Sequence, residues 1–177
     1  MSYVGAPFAH DLFVSYSHGT GADGHGVLRP WSESFVRELE RELRADHRLR
    51  HPLSLFMDVR TQAGHGVDPM AGLTAQLKQQ IGDAALLVVL MSPDYLGSRK
   101  WCALERETWL DRQKALALPV EGRIAVVRIL PTDEPWPAAL CDDTGEPLVG
   151  FAFHDDSAGV VRPLGSRLVM GLLLAYA

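Results

Sequence analysis

Ala84-Ala85-Leu86-Leu87-Val88-Val89-Leu90-Met91 is an uninterrupted apolar run of the length of one strand. A strand that is apolar at every position is buried on both faces, which is typical of a central strand in a parallel sheet covered by helices. Parallel strands are joined by crossover connections, usually helices. The run therefore predicts an α/β protein in which strands and helices alternate along the chain.

The segments on either side of this run alternate in the same way. The predicted strands cover residues 11–16, 53–57, 84–91 and 124–130, with a short edge strand at 151–153. The predicted helices run from residue 30 to about 46–51, from 68 to 80 and from 99 to 114. This order predicts a flavodoxin-like, doubly wound three-layer sandwich with a central parallel sheet of four to five strands. Its ligand cleft is expected at the carboxyl ends of the strands.

Size and charge narrow the classes of function. A chain of 177 residues fits one domain, residues 1–177. The net charge of −5 and the dispersed arginines give no basic patch, so nucleic acid is not expected as a direct ligand. Cys102 and Cys141 form neither a disulfide framework nor a zinc pattern, and reduced cytoplasmic thiols are the simplest interpretation.

The two ends of the chain lead to separate expectations. The first residues lack the basic and apolar regions of a signal peptide, and no apolar run reaches membrane-spanning length. We therefore expect a cytoplasmic protein without a membrane partner. Residues 168–177 are apolar up to the last position and lack a polar tail, which would fit the N-terminal part of a longer protein.

The third predicted helix carries a carboxylate on its apolar face. Trp101, Glu105 and Trp109 follow one another at i, i+4 and i+8, so Glu105 is expected between two indoles with its hydrogen-bonding capacity unspent. Glu107 and Asp111 project away from that face, as solvated charges do. Active sites prepare an acid, a base or an anionic stabiliser by withdrawing it from water in this manner. The structural alternative is a glutamate that reaches the surface or pairs with a buried arginine.

A glycine-rich loop follows the first predicted strand. Gly19-Thr20-Gly21-Ala22-Asp23-Gly24 matches the G-x-G-x-x-G pattern of a dinucleotide-binding turn. In that motif the third glycine opens the next helix, whereas here residues 25–29 intervene. A surface loop is the favoured interpretation, and a dehydrogenase-like NAD binder is the weaker alternative.

Other polar residues offer weaker sites. His18, His25 and His154 lack the spacing of a helix-borne metal site, so no metal is expected. Ser15 and Ser17 follow a strand but lack nucleophile-elbow glycines and an identifiable His/Asp partner. Serine hydrolase chemistry is therefore disfavoured.

Four motifs between residues 11 and 130 jointly resemble the Toll/interleukin-1 receptor (TIR) domain family. Phe13-Val14-Ser15-Tyr16 is similar to the first-strand F-[IV]-S-Y box of that family. Residues 56–60, followed by a glycine at 64, resemble its second strand and BB loop. Residues 87–95 resemble its L-V-x-[LVI]-[LM]-S-P-x-[YF] box. Ser98 together with Trp101-Cys102-x-x-Glu105 resembles its W-C-x-x-E signature.

The resemblance implies a reaction and a set of site residues. In enzymatically active members the glutamate of the last signature is essential for cleaving the nicotinamide–ribose bond of NAD+, and it maps onto Glu105. NAD+ would then be a substrate, and no cofactor is expected. Trp101 would line the ribose and nicotinamide region. The other residues that the resemblance places along the cleft are Tyr16, Ser17, Asp58 and Arg60.

Two classes of function follow from the resemblance. The first is a bacterial-type immune effector, an NAD+ glycohydrolase or cyclase whose product is ADP-ribose or a cyclic isomer. Homotypic TIR–TIR self-association, filamentous in its simplest head-to-tail form, would activate it through the loop that contains Gly64 and Gly66, and a fused sensor domain would be a partner. The alternative is a non-catalytic TIR–TIR interaction module. Non-catalytic members often lack the glutamate, so Glu105 favours the enzyme.

The chain also departs from the family pattern. Its first loop carries glycines and histidines where active members often carry basic residues, so phosphate contacts from that loop are in question. The resemblance fades after Leu130, and residues 131–160 are predicted to be mostly loop.

Overall fold

A computed structural model of the chain describes residues 2–17, 28–49, 53–57, 75–97, 101–155 and 162–163. The strands are β1 (His10–Tyr16), β2 (Leu55–Met57), β3 (Ala84–Met91), β4 (Ile124–Arg128), β5 (Phe151–Ala152), β6 (His154–Asp155) and β7 (Arg162–Pro163). The helices are α1 (Leu28–Ala45), α2 (Ala75–Gly82), α3 (Pro93–Gly97) and α4 (Trp101–Ala115). A short 3-10 helix covers Ala138–Leu140.

The first five strands form one parallel sheet in the order β2-β1-β3-β4-β5. This is the flavodoxin-like order, in which the direction of winding reverses between β1 and β3. The continuous apolar run is β3 itself, which lies at the centre and is buried at every position except Leu86. The predicted fold class is confirmed. Among the described residues, β6 and β7 form a separate antiparallel pair.

Alternate residues of the sheet face two different apolar clusters. Val14, Val88 and Val127 pack on the side covered by α1, which we call the α1 face. Phe13 and Val126 pack on the opposite side, the α4 face, together with residues of α3, α4 and the 3-10 helix. Because successive strand residues point to opposite faces, these clusters fix the direction of every other strand side chain. The three layers are therefore as predicted.

Helix α3, the 3-10 helix and strands β6 and β7 were not predicted, and the predicted elements differ from the observed ones at their ends. Helix α1 begins two residues before Pro30, which therefore occupies the first turn, where proline is tolerated. Strand β4 ends at Arg128: the amide of Ile129 makes the last ladder bond to the Met91 carbonyl at 3.0 Å, and the amide of Leu130 turns to the same carbonyl at 3.4 Å. The predicted start of the second helix, at Asp68, lies outside the described residues.

Helix α4 is fixed to the amino end of the sheet by buried polar contacts. The indole N–H of Trp109 donates to the Ala84 carbonyl at 2.9 Å. The amide of Gln113 donates to the Gly82 carbonyl at 3.2 Å, and its oxygen accepts from Arg123 at 2.8 Å. These contacts hold the second half of α4 beside the start of β3. The first turn of α4 therefore points to the opposite, carboxyl end of the sheet.

Two kinds of feature are absent from the described residues. None of their helices is both long and apolar enough to cross a membrane. Within the same part of the chain, no group of three or more His, Cys, Asp or Glu side chains is arranged to hold a metal ion.

Candidate active site

The first turns of α4 lie against the carboxyl end of β1. The thiol of Cys102 donates to the Tyr16 carbonyl with a sulfur–oxygen distance of 3.7 Å. Tyr16 is the last residue of β1, so this contact places the start of α4 at the edge of the sheet where the strands end. In open parallel sheets, ligands bind outside the carboxyl ends of the strands and near the switch point. The beginning of α4 is therefore at the expected position of a cleft.

Glu105 is buried at this place and bonded to the sheet. Only 6% of its surface is exposed. The Ser15 hydroxyl donates to Glu105 Oε2 at 2.7 Å, the distance of a charge-assisted hydrogen bond. The Tyr95 hydroxyl lies 3.2 Å from the same Ser15 oxygen. Three buried polar groups from α4, β1 and α3 thus form one cluster, which we call the Glu–Ser–Tyr cluster.

The direction of its hydrogen bonds follows from the number of available protons. A serine hydroxyl has one proton, and Ser15 donates it to Glu105, so Ser15 must accept from Tyr95. Burial raises the pKa of Tyr95 well above its ordinary value, and the nearby Cys102 and Glu105 raise it further. Tyr95 therefore keeps its proton and can act as the donor. All the bonds of the cluster point toward the carboxylate.

Ser15 is the site residue that the sequence analysis missed. The expectation that Glu105 keeps its hydrogen-bonding capacity unspent was wrong, because Ser15 occupies one of its oxygens. A signal was present, since Ser15 lies two residues after Phe13 and so faces α4 by strand alternation. The expected burial of Glu105 is found, and Glu107 and Asp111 are exposed.

The two indoles of α4 have different surroundings. Trp109 is fully buried in the core of the α4 face. Trp101 is half-buried and packs against the edge of the same cluster, in the first turn of the helix. Trp109 is therefore a core residue, whereas Trp101 lies at the carboxyl edge of the sheet, near the expected cleft.

The remaining predicted site residues are only partly described. The Tyr16 side chain packs in the cluster of the α1 face, on the opposite side of the sheet from Glu105. Ser17 is buried directly after β1, at the carboxyl edge. Asp58, Arg60, Gly64 and Gly66 lie outside the described residues, as do Ser98, His18 and His25. Their roles stay predictions.

We expect Ser15→Ala to lower the free energy of unfolding and to leave the Glu105 carboxylate without its serine donor. The substitution removes the donor of a buried carboxylate, and a hydrogen bond to a charged group contributes about 2 kcal/mol. Urea unfolding should therefore show a loss of about that size. Ser34→Ala, on α1, is the matched control and should leave stability nearly unchanged, since the Ser34 hydroxyl accepts an exposed hydrogen bond. Equal stability of both variants would show that Ser15 does not support Glu105.

Comparison with known proteins returned structural similarities alone, since no family model and no curated protein matches the chain. One similar structure contains the TIR domains of the activated Roq1 resistosome, which directly recognises the pathogen effector XopQ. It is 18% identical with a TM-score of 0.39, and the match covers 67% of this chain and 57% of that one. Another is the TIR domain of the Toll-related receptor TRR-2 from Hydra magnipapillata, 19% identical with a TM-score of 0.40 over 72% and 76% of the two chains. The chain thus spans less than two thirds of the Roq1 chain. Both of these solved structures are TIR domains.

Proposed function

We propose that this protein cleaves the nicotinamide–ribose bond of NAD+, with Glu105 as the catalytic carboxylate. The observation that carries the proposal is the position of that carboxylate, 6% exposed at the carboxyl end of β1 and held by Ser15 at 2.7 Å. A buried acid at this edge of an open parallel sheet is placed for chemistry on a ligand. The resemblance of Trp101-Cys102-x-x-Glu105 to the TIR signature supports NAD+ cleavage as the reaction.

The chemistry requires one carboxylate. As nicotinamide leaves, positive charge builds on C1′ of the ribose, and a nearby carboxylate stabilises that charge or traps it covalently. The leaving group is cationic before departure and neutral afterwards, so no general acid is needed. Attack by water on C1′ then gives ADP-ribose, and attack by a nucleophile within the same molecule gives a cyclic isomer.

The Glu–Ser–Tyr cluster supports this role by orienting the carboxylate. Electrostatic stabilisation is largest when the charged group is fixed before the reaction and need not reorganise. Ser15 fixes one carboxylate oxygen, and Tyr95 fixes Ser15 from the other side. Because Tyr95 and Ser15 are almost completely withdrawn from water, their dipoles act on the carboxylate in a medium of low dielectric constant.

The direct test is to incubate the concentrated protein with NAD+ and to separate the products by chromatography. We expect free nicotinamide together with an equal amount of ADP-ribose or its cyclic isomer. If nicotinamide is not released at any protein concentration, the protein is a TIR-type interaction module. Tight binding of NADH without cleavage would instead favour a dehydrogenase-like protein.

We expect the specific activity to rise with protein concentration. With Glu105 only 6% exposed, NAD+ reaches the carboxylate only after neighbouring groups move, so the isolated chain should be weakly active. By resemblance to the TIR family, contacts between domains through residues 58–67 of this chain would supply that rearrangement. A head-to-tail contact of this kind generates filaments.

Activity and light scattering should be measured together from dilute to concentrated protein. Arg60→Glu and Gly64→Pro should abolish the rise while the protein stays folded, because both positions belong to the predicted surface loop. Glu107→Gln is the matched control for a change of surface charge and should keep the rise. A flat activity profile without larger particles would exclude assembly as the activating step.

A further inference from the structure

Arg128 is a cation at the carboxyl edge of the sheet that the site described above does not use. It is the last residue of β4, and it stands in register with Met91 of β3 and Ala152 of β5. Val126, two residues earlier, packs on the α4 face. By strand alternation the Arg128 side chain also projects to the α4 face, the side on which Glu105 lies.

The guanidinium of Arg128 has unused hydrogen-bonding capacity. Its Nε is buried and has no hydrogen-bond partner among the residues that the structure describes. Other arginines of the described chain are satisfied: Arg112 pairs with Asp83 at 3.1 Å, and Arg123 donates to the Gln113 oxygen at 2.8 Å. A buried donor without a partner lowers stability, so native proteins carry few of them, and each calls for an explanation.

The backbone of Arg128 is held in place by hydrogen bonds. Its carbonyl accepts from the Phe153 amide at 2.8 Å and lies 3.1 Å from Nδ1 of His154. The position of the residue is therefore fixed by β5 and the turn that follows it. The residue is half-buried, so part of its surface is open to solvent at the carboxyl edge of the sheet.

From this geometry we propose that Arg128 binds the pyrophosphate of the dinucleotide substrate. This inference rests on the proposed function and adds a residue to it. A guanidinium presents a planar fork of N–H donors that matches phosphate oxygens in a bidentate manner. The pyrophosphate would supply the acceptor that Nε lacks, and it would do so at the edge of the sheet where ligands of this fold bind.

The strand register gives the separation across the sheet between the β1 end of the site and Arg128. Ser15 stands opposite Val89, which stands opposite Val126. Two residues further along, Met91 pairs with Arg128 at the edge, and Ser17 directly follows β1. Neighbouring strands are about 4.8 Å apart, so Ser17 and Arg128 are separated by about 10 Å across the sheet. Arg128 is therefore within reach of the phosphates of a dinucleotide whose nicotinamide ribose lies near Glu105.

The experiment compares Arg128→Gln with the wild type, using probes that differ in the pyrophosphate. Binding of ADP and of adenosine is measured by calorimetry, and cleavage of NAD+ and of nicotinamide riboside is followed by nicotinamide release. We expect Arg128→Gln to weaken ADP binding and to lower kcat/KM for NAD+ by about 10- to 100-fold, as for loss of a charge-assisted bond. The same variant should leave adenosine binding and nicotinamide riboside cleavage unchanged.

Two controls separate a ligand-binding role from a structural one. Arg112 lies in the last turn of α4 and pairs with Asp83. Arg112→Gln removes the same charge as Arg128→Gln and should leave all four measurements unchanged. The melting temperature of Arg128→Gln should equal or exceed that of the wild type, because the substitution removes a buried donor that has no partner in the described chain. A lower melting temperature with unchanged ADP binding would make Arg128 structural and overturn the inference.

The two proposals fail in distinguishable ways. If the wild type releases no nicotinamide but binds ADP through Arg128, the proposed reaction is wrong and the phosphate site stands. If the wild type cleaves NAD+ and Arg128→Gln cleaves it equally well, the reaction stands and the phosphate site is wrong. If Arg128→Gln lowers the cleavage of NAD+ and of nicotinamide riboside equally, the inference is also overturned, because nicotinamide riboside has no phosphate.

Discussion

Glu105→Gln is expected to lower the rate of NAD+ cleavage by about 10³-fold or more while the protein stays folded. The amide has the size of the carboxylate and can accept the Ser15 hydrogen bond, which is 2.7 Å long in the wild type. It lacks the negative charge that stabilises the cation developing on C1′. Electrostatic stabilisation is usually the largest single contribution to catalysis, and removing one such group costs about 10²- to 10³-fold or more in kcat.

The measurement is the initial rate of nicotinamide release at saturating NAD+, together with a thermal melt of each variant. Glu107→Gln is the matched control, since Glu107 lies two residues away on the same helix and is exposed. It should retain the wild-type rate. If Glu105→Gln melts near the wild type and cleaves NAD+ at the same rate, Glu105 is a structural residue and the proposed reaction loses its main support.

Trp109→Ala is expected to lower the free energy of unfolding by about 4 kcal/mol, as for other fully buried tryptophans. The indole is 0% exposed, and its N–H is the donor to the Ala84 carbonyl at 2.9 Å. The substitution leaves a cavity, removes a donor from a buried carbonyl and takes away the ring over which the Arg123 guanidinium lies at 5.4 Å. Urea unfolding at 25 °C measures the loss.

Trp101→Ala is the matched comparison on the same helix. Trp101 is half-buried, so its removal should cost less stability than that of Trp109. It should cost more activity in the folded fraction, because Trp101 lies at the carboxyl edge of the sheet, where Glu105 is, and Trp109 lies toward the opposite end. Both rates should be measured well below the melting transition. A larger stability loss for Trp101→Ala would contradict this assignment.

The central strand was predictable from the sequence to the residue. An apolar run bounded by polar residues has one simple interpretation, and β3 covers Ala84–Met91 as predicted. The shorter strands were placed less well because their ends depend on contacts with other elements. Strand β4 ends at Arg128, after which the amide of Leu130 turns to the Met91 carbonyl, and no local pattern encodes that contact.

Helix periodicity predicted the burial of Glu105 but not its partner. Ser15 and Glu105 are 90 residues apart in the chain, and their contact depends on how α4 packs against β1. Tyr16 illustrates a second limit. In a strand buried on both faces, apolar composition does not tell which residues face which layer, and the structure places Tyr16 on the α1 face. Arg128 belongs to no sequence motif, and the missing partner of its Nε can be recognised only once the fold is known.

Because α4 is attached at the amino end of the sheet, a tilt of the helix about that attachment would move its first turn most. The fixed point of such a tilt is Trp109, because its indole packs in the core and donates a hydrogen bond to β3. The eight residues from Trp109 back to Trp101 span about 12 Å, so a tilt of about 10° would move the first turn by about 2 Å. Such a tilt would stretch the Glu105–Ser15 and Cys102–Tyr16 contacts, which tie this half of the helix to β1. A contact that tilts the helix would therefore move Glu105 relative to Ser15 while the core around Trp109 keeps its packing.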